Sequence, residues 1–122
     1  MGLFSNDKKD AAEGTLRAEH DRLDALAVDA LAGEVLARAF GPETGNVRNR
    51  VAVRDIYAKF DPTGTGLFPG LDRDLVVSVQ YLVEEGLQHL THASLLVQGA
   101  SGSDYAQSEF HLSRAGRRHL GY

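Results

Sequence analysis

From Leu71 onward, apolar residues recur at Leu75, Val79, Leu82 and Val83, one stripe of a helix with a period of 3.6. The spacing predicts a helix closed by Glu84, Glu85 and Gly86, because glycine enters the left-handed turn after a helix without a Cβ penalty. Residues 90–98 then read as a strand. Residues 107–112 read as a second, with Phe110 and Leu112 on one face and a polar tip at 99–104 between the two. Upstream, residues 20–40 are rich in alanine and leucine and predict one long helix. Its stripe is Leu23, Ala27, Ala30, Leu31 and Val35, continued by Leu36 and Phe40. Gly41 and Pro42 stop it, and Thr44, Gly45 and Asn46 make a turn. Val51 and Val53 flank Ala52 as a short strand, and Val53, Ile56, Tyr57 and Phe60 carry the i, i+3, i+4, i+7 spacing of a short helix.

The predicted order is helix, strand, helix, helix, hairpin, an α+β arrangement. A helix ending E-E-G-L (Glu84–Leu87), a hairpin, and then L-S-R-A-G-R (Leu112–Arg117) resembles the winged helix-turn-helix domains of bacterial transcription regulators of the PadR and MarR type. There the recognition helix ends "LEEEGL" and the wing is followed by "LTEAGR". The resemblance spans about residues 20–120 and is most specific in the last fifty or so. It implies three helices with a C-terminal β-hairpin wing, and a regulator that binds double-stranded DNA. One departure stands out: D-P-T-G-T-G-L-F-P-G at 61–70 replaces the turn of about three or four residues that normally joins the second and third helices.

The 122 residues suit one domain, expected at 20–122 behind a flexible polar segment at 1–19. Leu3 and Phe4 in that segment leave open docking on a partner or a second subunit. No apolar run approaches the roughly 20 residues that span a bilayer. The first residues carry no signal-peptide pattern, so a cytoplasmic protein is expected. Cysteine is absent, which excludes disulfides and thiolate chemistry. A net charge of −4 argues against a globally basic nucleic-acid binder, and attention moves to how the charge is distributed. Arg48, Arg50, Arg54 and Lys59 stand against Asp55 alone, and Arg114, Arg117 and Arg118 form a second basic cluster.

Four chemistries follow from the residues. Aligned as a calcium loop, 61–72 offers Asp61, Thr63, Thr65, Gly66 and Asp72, and two carboxylates are too few for tight binding. A hairpin turning near Ser101 and Gly102 would set His92 opposite His111, with His89 nearby. That set could hold zinc or nickel, or could be exposed histidines only. For catalysis, no serine has an identifiable base, and Glu84 and Glu85 point to different helix faces; no enzyme and no cofactor are expected. For DNA, Arg48, Arg50, Arg54, Arg114, Arg117 and Arg118 would position the domain on phosphates, while Arg73 and Gln80 would read base edges. Asp72 and Asp74 lie at the helix end that enters the groove, where they would repel phosphate, although acids also suit the positive end of a helix dipole. The alternative is a winged-helix interaction module that touches no nucleic acid. A homodimer through the first helix and N-terminal segment is expected, using Leu26, Val28 and Leu36.

Overall fold

The computed structural model describes the backbone of residues 2–99 and 105–122, with side chains from Lys8 onward in those stretches apart from Ala106. Among these residues the protein mixes α and β. Its helices are α1 (Gly2–Asp24), α2 (Val28–Phe40), α3 (Val53–Ala58), α4 (Arg73–His92) and α5 (Arg114–His119). Its strands are β1 (Val51–Ala52), β2 (Leu96–Gln98) and β3 (Glu109–Leu112), joined as one antiparallel sheet in the order β1–β3–β2. Val51 pairs with Phe110, and Leu96, Val97 and Gln98 pair with Leu112, His111 and Phe110. Because side chains alternate across a strand, Phe110 and Leu112 share the buried face, as their spacing predicts. The expected hairpin tip falls at 100–104, outside the described residues.

One core serves the whole fold. Leu31, Val35, Leu36 and Phe40 of α2 meet Leu75, Val79, Val83, Leu87 and Leu90 of α4, with Val53, Ile56, Leu96, Phe110 and Leu112 completing it. No helix among the described residues is long and apolar enough to cross a membrane.

Three expectations need correction. The segment 1–19 is not a flexible lead: α1 runs through it, and Leu16 is 1% exposed in the common core. Glu13 of α1 also accepts the Asp72 amide at 2.7 Å, tying α1 to the start of α4. Nor is 20–40 one helix. Ala27 is extended (φ −62°, ψ 153°), which splits the stretch into α1 and α2. Neither glycine nor proline stands at 25–27; burial of both stripes decides the break, since a straight rod could not fold Leu16 and Leu23 back onto the core that Leu31 and Val35 fill. Ion pairs lace the two arms together: Arg22 bridges Glu19 and Glu34, and Arg38 bonds Glu19.

Gly86, third, does not end its helix. α4 continues to His92, and a Cβ at Gly86 would lie 2.7 Å from Val35 Cγ2, so glycine serves the close approach of α2 and α4. Just beyond its end stands Ser94, whose φ of +63° puts a non-glycine residue in the left-handed region. Leu95 N–H then donates to Leu90 O at 2.9 Å and Ser94 N–H to Thr91 O at 3.0 Å, a Schellman closure. The strand expected from residue 90 therefore begins only at Leu96.

Candidate nucleic-acid interface

The loop between α3 and α4 is built around one carboxylate. Asp61 is 7% exposed and accepts from the amides of Thr63, Gly66 and Phe68 at 2.9, 2.9 and 3.0 Å. The hydroxyls of Thr63 and Thr65 add contacts of 2.8 and 3.1 Å. Burial alone would raise its pKa, yet the Phe68 and Thr63 amides and the two hydroxyls outweigh that and hold it below the usual aspartate value. Five donors thus occupy the oxygens of Asp61, one of the two carboxylates that the calcium alignment would offer to an ion. Thr63 and Thr65 act as donors to Asp61, so the loop is closed by the chain's own groups.

That loop sets α4 against α3 and opens a groove of about 450 Å³ between them. Arg54 from the first turn of α3, Arg73 from the first residue of α4 and Gln80 two turns further on all line it. Three residues named from sequence are therefore brought together. Tyr57 and the loop residue Leu67 line it too, and sequence reasoning missed both. Leu67 is 81% exposed, a large apolar side chain turned to solvent beside two arginines. Tyr57 could not be picked out because its helical spacing marks it as core. It is half-buried, and burial followed by the Glu84 charge pushes its hydroxyl well above the usual phenol range.

The remaining arginines divide. Arg48, Arg50 and Arg117 line a second cleft together with His111, Val47 and Leu112. Arg114 and Arg118 are exposed on α5 and line neither cavity. At the opening of α4, Asp72 and Asp74 are exposed, and Asp72 makes no side-chain cap, leaving Glu13 to satisfy its amide. The outward stripe of α4 carries Asp74, Tyr81 and Glu85.

The L-S-R-A-G-R motif has a structural role. Ser113 caps α5 by accepting the Gly116 amide at 2.9 Å and donates its hydroxyl to Ser94 O at 2.6 Å. A Cβ on Gly116 would fall 2.1 Å from Leu95 O, so only glycine lets α5 lie against the start of β2.

The cross-strand histidine pair is not formed. His92 completes α4, His111 pairs with Val97, and His89 Nε2 meets Asp29 at 2.9 Å. Among the described residues no group of three or more histidines and carboxylates could hold a metal ion. Of the residues expected at a dimer contact, Leu36 is buried in its own core and Leu26 is half-buried, while Val28 is exposed. No protein-family model matches the chain, and no curated protein and no solved structure matches it either.

Proposed function

We propose that this chain is a winged helix-turn-helix protein that binds double-stranded DNA as a transcriptional regulator. The order α2, β1, α3, α4, β2, β3, with β1 joining the hairpin through β3, is the connectivity such a domain uses. One observation carries the DNA reading: Arg54, Arg73 and Gln80, from two helices and distant in sequence, line a single groove. Arg54 holds a backbone phosphate, and the first two turns of α4 present Arg73 and Gln80 to base edges, where such side chains pair bidentately with guanine and adenine. A second copy reading a second half-site belongs to this proposal. Sedimentation velocity at high protein concentration tests it, a monomer counting against it.

A second reading has its own support. The outward stripe of α4 is acidic and aromatic, with Tyr81 at 67% exposure between Asp74 and Glu85, and Leu67 is exposed nearby. That surface suits a protein partner better than phosphate.

Retention on a random duplex at low and then moderate salt separates the two readings, because non-specific DNA affinity comes almost wholly from counterion release. Asp72→Asn with Asp74→Asn should lengthen retention if this helix end approaches phosphate. No retention at low salt for either form supports the interaction module instead.

A further inference from the structure

The second cleft lies between the loop ahead of β1, the outer face of β3 and α5, away from the α3–α4 groove, and encloses about 240 Å³. Arg48 and Arg50 enter from the loop, His111 from β3 and Arg117 from α5, with Val47 and Leu112 as apolar walls. No carboxylate lines it. The arginines that do form salt bridges, Arg22 and Arg38, lie elsewhere, bound by Glu19 and Glu34. Among the described residues, none of the three arginines around this cleft forms a salt bridge.

Three guanidiniums around one concavity, Arg48 and Arg50 exposed and Arg117 half-buried, make a locally positive surface that no salt bridge among the described residues neutralises. Two are also oriented. Arg117 donates to Leu112 O at 3.4 Å, and the stem of Arg50 lies beside Gly99, where an added Cβ would sit 3.7 Å from Arg50 Cδ. His111 Nδ1 is buried with no hydrogen-bond partner, an orphan state that costs free energy unless a further group supplies one.

We propose that this cleft binds a phosphate group, as inorganic phosphate or a small phosphomonoester. Guanidinium forks match the paired oxygens of a phosphate, and several around one anion distinguish a dianion from a carboxylate. The volume falls below the roughly 300–1,000 Å³ of pockets for drug-sized ligands, so the attached organic part is short. The cleft uses no residue of the α3–α4 groove, but its three arginines are among those the sequence sets on DNA phosphates, so the test must separate a free phosphate from a duplex backbone.

The test is an NMR titration of the full chain with inorganic phosphate at constant ionic strength, following the arginine Nε–H signals. Saturable shifts confined to Arg48, Arg50 and Arg117 are expected. Arg48→Gln and Arg117→Gln should each weaken binding roughly tenfold, the loss of one charge-assisted hydrogen bond. Arg114→Gln, on the same helix but outside the cleft, should bind as the parent does. Backbone amide spectra report whether each variant keeps its fold. Shifts that never saturate, or equal affinity in Arg48→Gln and Arg117→Gln, overturn the proposal. So does saturation by a duplex without terminal phosphates where free phosphate gives none, which would assign the cleft to the DNA backbone.

Discussion

Replacing Asp61 by alanine removes the acceptor that five donors share, and the consequence can be worked out from their burial. The Phe68 amide is buried, so losing its partner leaves it unsatisfied, at about 1–3 kcal/mol. The Thr63 and Gly66 amides and the Thr63 and Thr65 hydroxyls are only partly buried and regain water, which reduces their share. Phe68 itself sits at φ +51°, a conformation that costs a non-glycine residue about 1–2 kcal/mol and that the Asp61 contact helps to hold. A net loss of about 3 kcal/mol is expected, a large part of the roughly 5–15 kcal/mol that stabilises a domain. Asp61→Asn keeps one acceptor oxygen and should lose about half as much. Urea unfolding followed by circular dichroism measures both variants. The sign with pH follows from the lowered pKa. The carboxylate's stabilisation is present above its unfolded value of about 3.9 and is lost as pH falls through the depressed folded value. Asp61→Asn should therefore flatten the acid limb of the stability curve. A loss under about 1 kcal/mol for Asp61→Ala, below the cost of the single buried amide, refutes the hub. Calcium raising the parent's melting temperature would refute it differently, by showing that the oxygens are free for an ion.

Two glycine-related positions should move stability in opposite directions. Gly86→Ala gains about 1 kcal/mol of helix propensity, but its Cβ meets the fully buried Val35 at 2.7 Å; overpacking costs about 1–3 kcal/mol, so net destabilisation is expected in chemical denaturation. Ser94→Gly relieves a left-handed serine while keeping the carbonyl that Ser113 uses, and should stabilise by about 1 kcal/mol in the same assay; a loss would show the serine side chain contributes more than its strain. Leu16→Ala should cost about 2–5 kcal/mol if α1 is part of the core, whereas a near-neutral result would restore the flexible-segment expectation for residues 1–19.

Periodicity carried most of the element order. The stripes of α3 and α4, that of α2 from Leu31 onward, and the alternation around Ala52 and at Phe110 and Leu112 were legible because one buried face repeats at the helical or strand period, whereas Ala27 and Ala30, expected on the same stripe, are exposed. α1 before residue 20 was not legible, since Ala12 and Leu16 are sparse among charges and become a core face only when α4 and Glu13's contact with Asp72 supply the other side. Gly86 misled for a related reason. A glycine after two acids reads locally as a stop, and only the approach of Val35 from α2 shows otherwise. The glycines of the E-E-G-L and L-S-R-A-G-R motifs let backbones or helices meet, so those two positions bear on fold. Of the candidate site, the residue types were legible and their grouping was not. Arg50 and Arg54 are neighbours in sequence yet line different cavities, because α3 turns Arg54 toward α4 while Arg50 lies beside Gly99.

The central claim is that the α3–α4 groove meets DNA, and the salt dependence of duplex affinity tests it most directly. Fluorescence anisotropy of a labelled random duplex across a salt series gives the slope of log affinity against log salt for the parent, Arg54→Gln and Arg73→Gln. Arg54→Gln should flatten the slope by about one unit, the counterion release of one lost phosphate contact. Arg73→Gln should leave the slope nearly unchanged and instead cost about 1–3 kcal/mol on a preferred sequence once one is selected. No binding at the lowest salt, or a parent slope that neither substitution alters, contradicts the claim that this groove engages nucleic acid.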